Sequence, residues 1–197
     1  MKFDTKVIHA AIKPDAETGS IVTPIHQTAT YVMEKVGKDK GYDYTRSANP
    51  TREIMEDHLA ELDNGKYGIA YASGMAAIDS CLKLLESGDH VICSDDVYGG
   101  TYRLFDQLLA NYGIQFSFVD TSFPDQVEEA ITPNTKMIWV ETPTNPLLKI
   151  TDLNAISSIS KKNNLLLAVD STFSTPVFLR PLEYGVDLVM HSTTKYI

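Results

Sequence analysis

The chain has 197 residues, of which 43% are hydrophobic and 22% charged; these ordinary globular proportions exclude a disordered, collagen-like or coiled-coil protein. With 17 Lys+Arg against 26 Asp+Glu the net charge is −9, and the longest basic cluster is the pair Lys161-Lys162, so nucleic acid is not an expected partner. Cys81 and Cys93 offer neither a disulfide framework nor a metal spacing, and both sit in apolar runs as expected buried thiols. Met1 to Lys6 contain no apolar targeting stretch, and the longest apolar run, Leu165 to Val169, is too short for a bilayer. A cytoplasmic protein without membrane contact is expected.

Along the chain, residues 1–50 show no clear period and carry turn signals such as Lys13-Pro14-Asp15 and Thr18-Gly19-Ser20. They read as an extended arm that packs on something else, with a partner subunit the expected support. The pattern changes at Thr51. Ile54, Met55, Leu59 and Leu62 form one apolar face of a helix over 51–64, with Gly65 as its left-handed stop. Short apolar runs at 67–72, 90–93, 114–119, 137–140, 165–169 and 186–190 then alternate with helical periods at 75–86, 101–111, 125–131 and 153–163. Runs that are apolar throughout suit strands covered on both faces. Their alternation with helices predicts an α/β domain over 51–197, with a mostly parallel sheet and helices on both faces.

In such sheets ligands bind beyond the carboxyl ends of the strands, and the residues there are chemically loaded. Ser73-Gly74-Met75 opens a helix, where free backbone N–H groups favour an anion. Its plainer reading is a Ser N-cap. Ser192 and Thr194 alternate past the last run and could bind phosphate oxygens together, although single hydroxyls there are usually turn formers. Asp170 closes the run 165–169, where a desolvated carboxylate needs either a cation or backbone amides. Lys195 follows another apolar run, where desolvation would make its amine a usable nucleophile. Tyr98 in a Gly-flanked turn could stack and transfer protons, and Asn145, between two prolines, could donate to a ligand oxygen. An anion site, a carboxylate wanting a cation, a stacking ring and an activated lysine together describe pyridoxal 5′-phosphate.

Six segments carry a family resemblance: 44–51 (YTRSANPT), 73–76 (SGMA), 96–100 (DVYGG), 141–146 (ETPTNP), 170–173 (DSTF) and 191–196 (HSTTKY). In order and spacing they resemble the Cys/Met-metabolism family of pyridoxal-phosphate enzymes, over the whole chain. The resemblance implies the aspartate-aminotransferase type (fold type I) large domain. It makes Lys195 the Schiff-base lysine and the base at Cα, Asp170 the partner of the ring nitrogen, and Tyr98 the stacking ring and an acid/base. Gly74, Met75, Ser192 and Thr194 would hold the phosphate, Asn145 would bond the phenolic oxygen, and Thr172 would line the ring. Tyr44 and Arg46 would reach the phosphate of a neighbouring subunit, which implies a homodimer at least and commonly a homotetramer. Asp43, the acidic residue before that Tyr, and Gly100 point to cystathionine as substrate.

The implied reaction is γ-elimination of cystathionine by a cystathionine γ-lyase. Its alternatives are γ-replacement on an O-acylhomoserine with cysteine, as in the γ-synthases, then β-lyase or methionine γ-lyase chemistry. The family runs well beyond Ile197, so a small C-terminal domain with the arginine for the substrate carboxylate is expected outside this chain, and a non-catalytic fragment is the reading from a different class. Ser192-x-x-Lys195 also fits the S-x-x-K of penicillin-binding proteins, but the companion Ser-Asp-Asn and Lys-Thr-Gly motifs are absent. No metal is expected. The scattered histidines read as structural, and His191, near the site, receives no role.

Overall fold

Residues buried on both faces of a sheet must be apolar at every position, and five of the six apolar runs are strands of one sheet. The computed structural model describes residues 1–197 and divides into two compact units, Met1–Ala70 and Tyr71–Ile197. No helix is long and apolar enough to cross a membrane.

The first unit contains α1 (Phe3–His9) and α2 (Pro50–Leu62). Helix α2 starts where the Asn49 side chain accepts from Thr51 N, with Pro50 at the first helical position. It stops at Asn64, which adopts the left-handed φ of 56° in place of the expected Gly65, while Gly65 N donates to Ala60 O at 2.7 Å. Helix α1 is a turn of order that the aperiodic sequence of the arm did not announce. Lys6 Nζ donates to Asn64 Oδ1 at 2.9 Å, and the His58 ring meets Val7 O at 3.0 Å, so α2 supplies its support. Between the two helices the chain is irregular. There Ile21, Val22, Ile25, Val32 and Val36 are 76% to 100% exposed.

The second unit runs through α3 (Gly74–Leu82), β1 (His90–Ser94), α4 (Gly99–Tyr102), β2 (Gln115–Val119), α5 (Pro124–Glu129), β3 (Thr135–Glu141), α6 (Leu153–Lys162), β4 (Leu166–Asp170), α7 (Thr175–Phe178) and β5 (Leu188–Met190). All strand pairs are parallel and the sheet order is β2-β1-β3-β4-β5. Alternate strand residues face two cores. Val91, Cys93, Met137 and Trp139 pack with Ile78 and Leu82 of α3 and with Phe105 and Leu109. Ile92, Ile138, Val140, Leu167 and Val169 pack with Val127 of α5 and with Leu153, Ile156 and Ile159 of α6. The order reverses at β1, which is flanked by β2 and β3, and such a switch point leaves a crevice at the carboxyl ends.

Three elements differ from the pattern read in sequence. Helix α3 ends at Leu82, short of the expected 86. The run 67–72 forms no strand: neither sheet edge, β2 or β5, pairs with it, and Tyr67 and Ile69 are exposed. The helix over 101–111 is three short pieces, α4, a π turn over Arg103–Leu108 and a 3-10 turn over Leu109–Tyr112, ended by left-handed Gly113.

Candidate active site

The carboxyl ends of β1, β3, β4 and β5 deliver side chains to one place. At the end of β4, Asp170 is 5% exposed, and Thr172 N donates to its Oδ1 at 3.0 Å. Burial raises the Asp170 pKa against the hydrogen bonds from Thr172 and the charge of His191.

Thr172 also connects Asp170 to the segment after β5, since Ser192 N donates to Thr172 Oγ1 at 2.9 Å. Ser192 Oγ and Thr194 Oγ1 are 3.1 Å apart. They converge through a turn, closed by Lys195 N donating to Ser192 O at 3.1 Å, and not through strand alternation. Lys195 itself is exposed, so this chain does not desolvate it as its sequence position suggests.

The N-terminus of α3 faces the same turn. Ser73 Oγ accepts from Ala76 N at 3.2 Å, the plain N-cap, which leaves the amides of Gly74 and Met75 at the helix end to a further acceptor. A Cβ on Gly74 would lie 2.9 Å from Ser192 Cβ and 3.0 Å from its Oγ, so only glycine lets the helix end approach Ser192 this closely. On the other side, a Cβ on Gly100 would lie 2.3 Å from Tyr98 Cε1 and 2.8 Å from Met75 Sδ. The Tyr98 ring thus rests on the Gly100 backbone beside Met75, and it is 45% exposed.

Glu141 received no role from sequence, although it shows the same signal as Asp170, an acid closing an apolar run. It pairs with Asp170 in the β3–β4 register and is 5% exposed. Tyr98 N donates to its Oε2 at 2.8 Å, and the Asn145 amide also favours the charged form. Burial, with the nearby Asp170 and Asp96 carboxylates, outweighs those two amides and pushes its pKa up to about 8. Asn145, half-buried, lies between the cis bonds Thr142–Pro143 and Asn145–Pro146.

Other residues have structural surroundings. His90 is buried between Thr135 Oγ1 at 2.8 Å and Ser117 Oγ at 2.9 Å, and burial lowers its pKa. Cys93 is buried and Cys81 partly so, with both thiol pKa values raised, chiefly by burial. No group of three or more His, Cys, Asp or Glu is placed to hold a metal. Asp43, Tyr44 and Arg46 lie in the first unit. Arg46 Nη2 donates to Tyr44 OH at 3.2 Å with its guanidinium over the Tyr44 ring, and exposed Asp43 accepts from Tyr44 N.

Converging hydroxyls at a helix N-terminus, a ring platform and a buried strand-end carboxyl group suit the large domain of a fold type I pyridoxal-phosphate protein. The model of the Cys/Met metabolism PLP-dependent enzyme family matches residues 4–197, and the chain belongs to that family. It is 53% identical over 197 residues to the cystathionine γ-lyase of Bacillus subtilis, covering all of this chain and 52% of the relative. It is 51% identical over 196 residues to the cystathionine β-lyase of Coxiella burnetii, covering 99% and 51%. Relatives with γ-synthase names share 47%. The crystal structure of metB from Corynebacterium glutamicum superposes with a TM-score of 0.97 at 46% identity, covering 100% of this chain and 51% of that one. The chain spans about half the length of the curated relatives it matches.

Proposed function

We propose that this chain binds pyridoxal 5′-phosphate and that the protein it belongs to cleaves cystathionine by γ-elimination, with water, to cysteine, 2-oxobutanoate and ammonia. The single observation that carries the cofactor reading is the convergence of one chain of contacts: Asp170, buried at the end of β4, is joined through Thr172 to the Ser192 turn, which packs against the N-terminus of α3. When bound, the cofactor supplies an electron sink for breaking bonds next to the substrate amine. Asp170 would hold the cationic ring nitrogen, and the Gly74 and Met75 amides with the Ser192 and Thr194 hydroxyls would hold the phosphate. Asn145 would donate to the phenolic oxygen, and Thr172 would line the ring. Tyr98 would present its ring and phenol to the substrate side, and Lys195, whose exposure leaves its amine accessible, would bond the cofactor and move the Cα proton.

The arm over residues 1–50, which lies within the first unit, would lend Tyr44 and Arg46 to a neighbouring copy's phosphate. Their mutual stacking and the exposed apolar side chains of that unit support a dimer or tetramer. Asp43 would receive the distal amino group of cystathionine, and its exposed carboxylate suits that role. The γ-lyase reading is supported by the 53% identity to a protein of that name. A second reading, γ-replacement on an O-acylhomoserine with cysteine, is supported by the relatives with γ-synthase names.

A visible spectrum with and without borohydride tests the cofactor, followed by peptide mapping and a Lys195→Ala control. A band lost on reduction, with the label on Lys195, is the expected result. A colourless protein that takes up no added pyridoxal phosphate would overturn the reading for this chain. Incubation of the whole protein with cystathionine then separates the reactions. Release of 2-oxobutanoate marks γ-elimination and pyruvate marks β-elimination, whereas cystathionine formed from an O-acylhomoserine and cysteine marks the synthase.

A further inference from the structure

Tyr98 and Asn145 reach the site on separate turns, one after β1 and one after β3, and a ring and an amide are useful only at a fixed spacing. Among the side chains that join these turns, Glu141 is the one bonded to the backbone of Tyr98 itself. We propose that Glu141 is the positioning residue of this site, its carboxyl group tying the turn that presents Tyr98 to the turn that presents Asn145. Its Oε2 accepts from Tyr98 N at 2.8 Å, its own backbone leads four residues on into the turn that carries Asn145, and the Asn145 amide favours its charged form.

The tie is anchored from behind. Glu141 N donates to Ser94 Oγ at 3.2 Å, Ser94 Oγ meets Thr121 Oγ1 at 2.8 Å, and Thr121 Oγ1 meets Thr151 Oγ1 at 2.8 Å. These hydroxyls are buried and join the ends of β1, β2 and β3. A second acid braces the same two turns farther out, because Asp96 accepts from the Thr144 hydroxyl and from Leu147 N at 2.9 Å. Burying Glu141 beside Asp170 is costly, and that cost is repaid only by geometry, since no cation faces Glu141 and it offers the ring nitrogen nothing that Asp170 does not. A pKa near 8 keeps much of it protonated at neutral pH, so the amide of glutamine is a close mimic that retains an acceptor for Tyr98 N.

The inference rests on the cofactor reading above, and the test separates the two. Backbone amide exchange is compared in wild-type protein, Glu141→Met, which fills the volume without an acceptor, and Glu141→Gln, all without cofactor. Glu141→Ala replaces the Met variant if that protein does not fold, and the amide of buried Trp139 is the folding control. In Glu141→Met the Tyr98 and Asn145 amides should both exchange faster, by roughly tenfold, with Trp139 unchanged. Titration with pyridoxal phosphate should then show binding weaker by about tenfold in Glu141→Met, the worth of one backbone bond to a buried carboxyl group, and recovery to within about threefold of wild type in Glu141→Gln. The proposal is overturned if either amide keeps its wild-type exchange in Glu141→Met, or if that variant binds the cofactor as wild type does. Failure of wild type to bind pyridoxal phosphate would instead sink the cofactor reading, and the exchange result would still decide the tie.

Discussion

Two acids in adjacent strands, Glu141 and Asp170, are both raised in pKa by burial, and this has a sign that can be measured. Folded Glu141 keeps its proton up to about pH 8, while its ordinary value is 4.5. The folded state therefore binds more protons than the unfolded state across that window, and stability falls as pH rises. The contribution is fully present below pH 4.5 and is lost as pH passes about 8. His90 works in the opposite sense, since a histidine buried neutral loses stability as pH falls below its ordinary 6.5. Melting curves of the cofactor-free protein should thus show Glu141→Gln gaining most over wild type above pH 8 and least near pH 5. An equal difference at both pH values would show that Glu141 does not carry the shift.

At the scale of elements, chain reversals depend on single residues. Gly113 ends the turn before β2 at φ 88°, its N–H donates to Ala110 O at 3.0 Å, and a Cβ there would lie 2.2 Å from Ser87 Oγ. Gly113→Ala should cost about 1 kcal/mol or more from backbone strain, with Ser87 displaced as well. Urea unfolding should show a lower midpoint with an unchanged slope. That glycine stands in sequence where a helical period ends, so its stop was legible there, whereas Gly88, at φ 99°, lies beyond the end of α3 at Leu82 and does not stop it. The stop of α2 was not legible, because Asn64 can take the left-handed conformation one residue before a glycine that looks better suited. The run 67–72 misled for a different reason. Apolar composition shows that a segment can be a strand, whereas pairing depends on a neighbour that composition does not contain.

For the whole molecule, the proposed exchange of arms predicts complementation. Arg46→Ala and Lys195→Ala damage different subunits' contributions if Arg46 serves the neighbouring copy. Mixed after dissociation and reassociation, the two inactive variants of the whole protein should recover activity that neither has alone. No recovery from a mixture shown to form hybrids would place Arg46 in its own subunit's site. What sequence alone determined here is local: strands that are apolar throughout must be covered twice, Ser73 must cap, and acids or hydroxyls that close dry strands must meet a ligand or one another. Asp170 and Ser192 were singled out on those terms, Tyr98 and Asn145 by the turns that hold them, and the family's motifs added Thr172. Tertiary structure alone decided the strand order that opens the crevice, the approach of Gly74 to Ser192, and the pairing of Glu141 with Asp170. Each is a contact between residues far apart in the chain, and its energy depends on distance and burial that no local pattern encodes.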